Sequence, residues 1–238
     1  MGKIDDIQAY KEWTEYHRSL KRDKAADNLS PVERKKKLEK LEANVIEWIL
    51  FFFSEFAKYP FTKFHKKAIK RITTNMEWYE VLSWSRELAK STIVFMCMMY
   101  LVLTGKKKNV LLISNSHENA VRLLEPYKKA FESNSMLKAY YGDLREFGSW
   151  TADEFTLTTG ATFRAIGALE SPRGTRKDAV RPDTALVDDF DTDADCRNPD
   201  ILKKKWEWFE EALFPTRSIS EDLLVIFCGN LIALDCCV

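Results

Sequence analysis

The sequence has few of the features that mark secreted, membrane-spanning or strongly charged proteins. Its five cysteines show no C-x-x-C spacing, which favours reduced thiols in an intracellular protein over a disulfide framework or a zinc site. No signal peptide is recognisable, and the longest apolar run, residues 93–103, is too short to cross a bilayer. We therefore expect no membrane association. The net charge of +1, from 37 basic and 36 acidic residues, gives no global sign of a nucleic-acid partner.

The 238 residues are enough for one large domain, or for one domain with an appendage. Residues 1–59 are predicted to form a helical appendage, and residues 60–238 the main domain. Ser30 and Pro31 have the residue types of an N-cap and a first helical position. We predict one helix from Pro31 into the apolar segment 45–56, which has to pack on the main domain or on another protein.

From residue 79 onward, short apolar runs alternate with segments of helical period. This alternation predicts an α/β fold with a mostly parallel sheet flanked by helices. The turn at Thr159 and Gly160 predicts a β-hairpin. The predicted strands are 79–82, 110–113, 155–157, 162–166, 184–187 and 223–228, and the predicted helices are 62–73, 90–104, 117–132 and 199–213.

Residues 83–92 join the first of these strands to an apolar helix and end in Lys90-Ser91-Thr92. A strand, a tight loop ending in Lys-Ser/Thr and a helix are the parts of a phosphate-binding loop. Trp84 and Ala89 stand where the two glycines of the simple pattern belong. An ordinary strand–turn–helix with an exposed lysine is therefore the alternative interpretation.

Other polar loops also follow strands, at residues 114–116, 188–189 and 229–230. In parallel sheets the ligand binds beyond the carboxyl ends of the strands, so this coincidence favours a phosphate site. A buried strand leads directly into Asp188 and Asp189. Nucleotide hydrolysis needs one group that holds Mg²⁺ and a second that orients the attacking water. We assign Asp188 to Mg²⁺ and Asp189 to the attacking water.

The later aspartates Asp191, Asp193 and Asp195 alternate as in a calcium loop. That interpretation is excluded because Cys196 and Leu202 occupy the positions that require Gly and Glu. We expect these three carboxylates to lie in a solvated loop. Four basic clusters are candidates for DNA contacts or, more simply, solvated surface, and Lys106–Lys108 is predicted to be a surface turn. The clusters are Lys35–Lys37, Lys66–Lys70, Lys106–Lys108 and Lys203–Lys205.

Four stretches, taken in order, resemble the ATPase domain of the large terminase subunit, the DNA-packaging motor of tailed phages and herpes-type viruses. They are SRELAKST at 85–92, IGALESPRGTR at 166–176, RPDTALVDD at 181–189 and VIFCGN at 225–230. The resemblance covers roughly residues 60–235. It implies a P-loop NTPase core of the ASCE type that uses ATP and Mg²⁺.

The resemblance also implies roles for individual residues. Lys90 would bind the β- and γ-phosphates, Ser91 would ligate Mg²⁺ with Asp188, and Asn230 would couple hydrolysis to movement. Arg86 would stabilise the transition state; the alternative is a surface arginine paired with Glu87 or Asp189. The residues implied to contact the nucleotide are Ser85, Arg86, Glu87, Leu88, Ala89, Lys90, Ser91 and Thr92, with Phe64 and His65 at the adenine.

Phe64 has an equally simple interpretation as a core aromatic. Arg173 and Arg176 are candidates for a neighbouring subunit's site or for DNA. Trp84 departs from the family, which usually has a small residue there. The sequence also shows no second acidic cluster for a two-metal nuclease site, so we expect no nuclease activity.

The function implied is Mg²⁺-dependent ATP hydrolysis that drives double-stranded DNA into a procapsid. The expected partners are DNA, the portal or procapsid and the small terminase subunit, in the cytoplasm of an infected host cell. We expect a homo-oligomeric ring when assembled and a monomer as an isolated domain. The alternatives are a nucleotide-binding-like assembly module that does not hydrolyse ATP, and a helicase or recombination motor.

Overall fold

A computed structural model describes residues 29–57, 59–172, 181–230, 232, 236 and 237. Its centre is a seven-stranded sheet in the order β1-β7-β6-β2-β5-β4-β3. The first five strands in that order are parallel, and β4 and β3 continue the sheet in antiparallel pairing. The predicted fold class, a mostly parallel α/β sheet flanked by helices, is therefore confirmed. The strands are β1 (Trp78–Leu82), β2 (Asn109–Ser114), β3 (Arg145–Trp150), β4 (Glu154–Leu157), β5 (Thr162–Gly167), β6 (Thr184–Asp188) and β7 (Leu224–Cys228).

Seven α-helices accompany these strands among the described residues. They are α1 (Pro31–Glu42), α2 (Val45–Phe52), α3 (Lys63–Thr74), α4 (Lys90–Leu103), α5 (His117–Ser133), α6 (Ser135–Tyr141) and α7 (Pro199–Glu207). Helix α7 continues into wider π-helical turns at Trp208–Leu213. The predicted helices, strands and hairpin are found within a few residues of their expected bounds, and β3 and α6 are additional.

The order of the strands brings four loops to one edge of the sheet. Strands β7 and β6 lie between β1 and β2, and all four run parallel. Strands β2 and β7 are buried along their whole length, as expected for strands covered on both faces. The carboxyl ends of β1, β7, β6 and β2 therefore lie side by side.

Two apolar cores cover the two faces of the sheet. Helix α4 is buried from Ile93 to Val102 and forms the larger core with α1, α2, α3 and α5. The smaller core contains Phe190, Phe209 and Phe227, under α7 and the π-helical turns. Within the described ranges, no helix is long and apolar enough to span a membrane.

The N-terminal helices share the larger core. Trp48 of α2 is fully buried, and its ring lies 5.3 Å from that of Tyr100 in α4. The prediction of one continuous helix is wrong, because the chain breaks at Asn44. The Asn44 carboxamide oxygen accepts hydrogen bonds from the Ile46 and Glu47 N–H groups and starts a second helix. The division of the chain at residue 59 stays a prediction, and residues 1–28 lie outside the described residues.

Two lysines predicted on the surface are buried. Lys107 is only 2% exposed, and its Nζ donates to three backbone carbonyls, so Lys106–Lys108 is not simply a surface turn. Lys205 is 3% exposed; its Nζ contacts the carbonyl of Phe190 and lies 2.8 Å from a carboxylate oxygen of Asp195. A buried ammonium group needs such acceptors, because its transfer from water is otherwise costly.

The acidic loop after β6 also departs from the solvated loop that the sequence predicted. Asp191 is buried, with one carboxylate oxygen 3.6 Å from Lys205 Nζ and the other accepting the Cys237 N–H. Asp195 closes the turn 192–195, because its carboxylate accepts the Thr192 N–H. Only Asp193 is exposed as predicted.

Candidate functional site

The polar residues that end the parallel strands surround one cavity of about 530 Å³. The loop between β1 and α4 forms one wall. Asp188 and Asp189 at the end of β6, and Asn230 after β7, form the other. The lining from the loop is Ser85, Arg86, Glu87, Leu88, Ala89, Lys90, Ser91 and Thr92.

Lys90 is the first residue of α4 and is held toward this cavity from two sides. Its Nζ donates to Asn230 Oδ1 at 2.8 Å and also to the carbonyl of Trp84. The amide of Asn230 is 140 residues away in the chain, so this contact exists only because β1 and β7 are neighbours. The structure thus brings together two residues that the sequence assigned to a single site.

Ser91 and Asp188 form a second pair across the cavity. Ser91 Oγ donates to Asp188 Oδ2 at 2.6 Å. Burial raises the pKa of Asp188 to about 6, although the hydrogen bond from Ser91 opposes that rise. A hydroxyl and a carboxylate are hard oxygen donors, and Mg²⁺ in nucleotide sites takes one or two carboxylates besides phosphate oxygens and water. The two side chains therefore suit Mg²⁺ together with a phosphate-bearing ligand.

The buried Asp188 carboxyl predicts a pH-dependent stability of the nucleotide-free protein. An aspartate in the unfolded chain titrates near pH ~4, and folding raises the pKa of Asp188 to about 6. Between these values the folded state binds more protons, so the stability that this group contributes is full below pH ~4 and is lost as pH rises through about 6.

We therefore expect Asp188→Asn to stabilise the nucleotide-free protein at pH 7 by about 2 kcal/mol, and to leave it little changed at pH 4. Chemical denaturation at both pH values measures the difference. Asp193→Asn, at an exposed carboxylate of the next loop, is the matched control. An equal effect of Asp188→Asn at pH 4 and pH 7 would contradict the prediction.

The loop reaches its shape without the glycines of the simple pattern. Glu87 and Ala89 have φ angles of 69° and 58°, in the left-handed region that favours glycine. Ala89 is also the N-cap of α4, and no side chain caps that end of the helix. Each such residue costs about 1–2 kcal/mol relative to the right-handed conformation, so the loop is strained at both residues, and Ala89 is one of the two positions where the pattern has glycine.

Ala89→Gly is expected to raise the free energy of unfolding by about 1 kcal/mol, because glycine adopts the left-handed conformation without the steric cost. Urea denaturation monitored by tryptophan fluorescence measures the change. Ala43→Gly provides the control, since Ala43 is also an alanine at a helix boundary, the C-cap of α1, but has a φ of −71°. We expect Ala43→Gly to be less stable than the wild type. A loss of stability in Ala89→Gly as well would show that the backbone at Ala89 is not strained.

Arg86 is exposed and lines the same cavity. The structure gives it no ion pair with Glu87, Asp189 or any other described residue. The alternative in which Arg86 is a surface arginine paired with one of those carboxylates is therefore not observed. Its guanidinium is available to an anion in the cavity.

Phe64 and His65 lie next to the loop but do not line the cavity. Their rings lie 4.8 Å and 5.4 Å from that of Trp84. His65 Nδ1 accepts the Thr62 N–H at 3.3 Å, and Nε2 lies 3.1 Å from the carbonyl of Leu88. The ring is satisfied as the neutral tautomer with a proton on Nε2, and burial lowers the pKa of His65. In this arrangement His65 ties the loop to the start of α3.

Two residues were missed as candidates. Asn115 and Asn119, at the end of β2 and in the first turn of α5, line a second cavity of about 320 Å³ that also includes Asp188 and Asp189. The sequence contains one indication of Asn115, the polar loop at residues 114–116 that follows a strand. Arg173 and Arg176 lie outside the described residues.

No sequence profile of a protein family matches the chain, and neither does any curated protein sequence. A solved structure does match: the large terminase of bacteriophage HK97, with a TM-score of 0.55 and 15% sequence identity. The match covers 79% of this chain and 37% of the terminase chain, so this chain spans well under half of the terminase. The protein therefore has the fold found in a phage large terminase.

Proposed function

We propose that this chain is a terminase-type motor domain that hydrolyses ATP. The observation that carries the proposal is the pairing of Ser91 with Asp188 and of Lys90 with Asn230 at the carboxyl edge of the sheet. Each pair joins the phosphate-loop candidate to a strand end far away in the sequence. The shared fold with a large terminase supports the same assignment.

The loop is suited to the polyphosphate of ATP. Lys90 contributes a positive charge at the start of α4, where backbone N–H groups and the helix dipole also favour an anion. Lys90 would bind the β- and γ-phosphates after leaving Asn230 and the Trp84 carbonyl. Ser91 and Asp188 would hold Mg²⁺, which in such sites neutralises charge on the phosphate oxygens.

Hydrolysis needs an oriented water molecule and a stabilised transition state. Asp189 lines the cavity next to Asp188 and would accept a hydrogen bond from the attacking water. Arg86 would place its guanidinium against the charge that develops on the γ-phosphate. Asn230, once Lys90 leaves it, is free to hydrogen-bond the phosphate or the water, and so to report nucleotide occupancy to β7.

The remaining roles follow from the same assignment. ATP hydrolysis would drive double-stranded DNA into a procapsid, with the portal and the small terminase subunit as partners in the cytoplasm of an infected host. The assembled form would be a homo-oligomeric ring. Arg173 and Arg176 would act on a neighbouring subunit's site or on DNA. Phe64 would lie at the adenine, whereas the hydrogen bonds of His65 favour a role in holding the loop.

A second candidate, a module that binds partners without hydrolysing ATP, is favoured by Trp84 and Ala89 in place of glycine and by the left-handed backbone at Ala89. Titration calorimetry with a slowly hydrolysed ATP analogue, with and without Mg²⁺, separates the two. The ATPase proposal predicts binding that strengthens with Mg²⁺ and weakens in Ser91→Ala. Absence of binding at millimolar nucleotide would favour the second candidate.

A further inference from the structure

The cavity that contains Asn115 shares a wall with the proposed hydrolysis site. Asp188 and Asp189 line both cavities, so the two spaces meet at these carboxylates. The loop 85–92 lies on one side of them. On the other side lie the end of β2 and the first turns of α5, which contribute Asn115 and Asn119.

The backbone of Asp189 is fixed by both neighbouring strands. Its φ angle of 45° turns the chain sharply at the end of β6. Its N–H donates to the carbonyl of Cys228 at 3.2 Å, and its carbonyl accepts the Asn115 N–H at 3.3 Å. The backbones of Asp189, the proposed water-orienting residue, and of Asn115 are thus held in a fixed relation to each other.

The side-chain amide of Asn115 is oriented by Asn119. Asn119 Nδ2 donates to Asn115 Oδ1 at 2.8 Å, which uses the acceptor of that amide. Asn119 is itself held by Arg122, whose Nη1 donates to Asn119 Oδ1 at 3.4 Å. Among the residues that the structure describes, none accepts a hydrogen bond from Asn115 Nδ2. The amide therefore keeps its donors for a ligand of the cavity.

We propose that Asn115 is a second positioning residue for the water that attacks ATP; this inference rests on the proposed ATPase function. Asn115 Nδ2 donates to one lone pair of the water oxygen, while Asp189 accepts one of its hydrogens. The remaining lone pair points at the γ-phosphorus. As the new P–O bond forms, the bond to the β-phosphate oxygen breaks, ADP leaves with the electron pair, and the water proton passes to Asp189.

This arrangement compensates for the short reach of aspartate. Glutamate is the commoner residue in the water-orienting role, and Asp189 has one methylene less. A water molecule held only by Asp189 could rotate about that single hydrogen bond. A donor from Asn115 removes this freedom, because two contacts in different directions fix the oxygen.

The test measures the turnover number and the affinity for a slowly hydrolysed ATP analogue in four proteins: the wild type, Asn115→Ala, Asn119→Ala and the control Glu125→Gln. Glu125 is exposed on the same helix and does not line this cavity. We expect Asn115→Ala to lower turnover about 10-fold, the effect of about one lost hydrogen bond, with analogue affinity within about twofold. Asn119→Ala, which leaves the Asn115 amide present but unheld, should lower turnover by less.

Asn115→Gln adds a rescue arm, since its carboxamide can still donate to the water and should recover part of the lost turnover. The inference is overturned if Asn115→Ala hydrolyses ATP at the wild-type rate. A parallel loss of analogue affinity also overturns it, because that result indicates a structural role. Failure of the underlying function looks different: the wild type then hydrolyses no ATP, or Lys90→Ala hydrolyses it equally well.

Discussion

Lys90→Ala is expected to lower the rate of ATP hydrolysis by about 100- to 1,000-fold, the cost of removing one preorganised donor from a developing negative charge. Lys90 Nζ is the only lysine ammonium in the described lining of the cavity, and it lies at the N-terminus of α4. The effect should appear in both turnover and nucleotide affinity, because the ammonium contacts phosphate before and during the reaction. Release of inorganic phosphate under saturating ATP and Mg²⁺ measures it.

Lys203→Ala is the matched control, because the Lys203 side chain is 75% exposed and pairs only weakly with Glu207. We expect this variant to keep wild-type turnover. Lys90→Ala also removes the contacts of Nζ with Asn230 and Trp84 in the nucleotide-free protein, so a thermal melt should accompany the assay. Equal hydrolysis by Lys90→Ala and wild type would mean that the cavity is not the ATPase site.

Lys107→Met is expected to destabilise the fold by about 3 kcal/mol, although Lys107 lies at the opposite edge of the sheet from the cavity. Its Nζ donates to the carbonyls of Met76, Asp183 and Asp222 at 2.9, 3.0 and 2.8 Å. These residues precede β1, β6 and β7, so one ammonium group joins the amino ends of three strands. Methionine fills similar space but leaves three partly buried carbonyls without this donor.

Burying the Lys107 ammonium group costs free energy, but we still expect Lys107→Met to destabilise the fold. Burial lowers the pKa of Lys107, while the nearby carboxylates of Asp183 and Asp222 oppose that shift and favour the charged form. A melting temperature about 10 °C below that of the wild type would correspond to the expected loss for a chain of this size. Lys108→Met is the control, because Lys108 is exposed and only its backbone N–H contacts Asp183. Equal melting temperatures for the two variants would contradict the role of Lys107.

The sequence predicted structure best for the central parallel strands, where an apolar run in the sequence corresponds to burial on both faces of the sheet. Apolar runs ending in polar residues identified β6 with Asp188 and β7 with Asn230, since central parallel strands are apolar along their length. The convergence of Lys90 with Asn230 followed from a general property of parallel sheets rather than from any local signal. The catalytic roles of these residues stay predictions.

The sequence was least informative where distant partners change the environment of a charge. Lys107 and Lys205 lie in basic clusters that resemble solvated surface, yet each ammonium group is buried against acceptors that the sequence does not place beside it. Asp191 is paired with Lys205 in the same way. Strand β3 was missed because its side chains are largely exposed, with Phe147 fully in solvent, so it lacks the apolar alternation of a half-buried strand.

The central claim is that Lys90, Ser91 and Asp188 form one Mg²⁺–phosphate site. A crystal structure with Mg²⁺ and a slowly hydrolysed ATP analogue tests it most directly. We expect Lys90 Nζ to contact the β- and γ-phosphates, and Ser91 and Asp188 to lie together at the metal. A nucleotide bound elsewhere, or a cavity in which Lys90 still contacts Asn230 at saturating nucleotide, would contradict it.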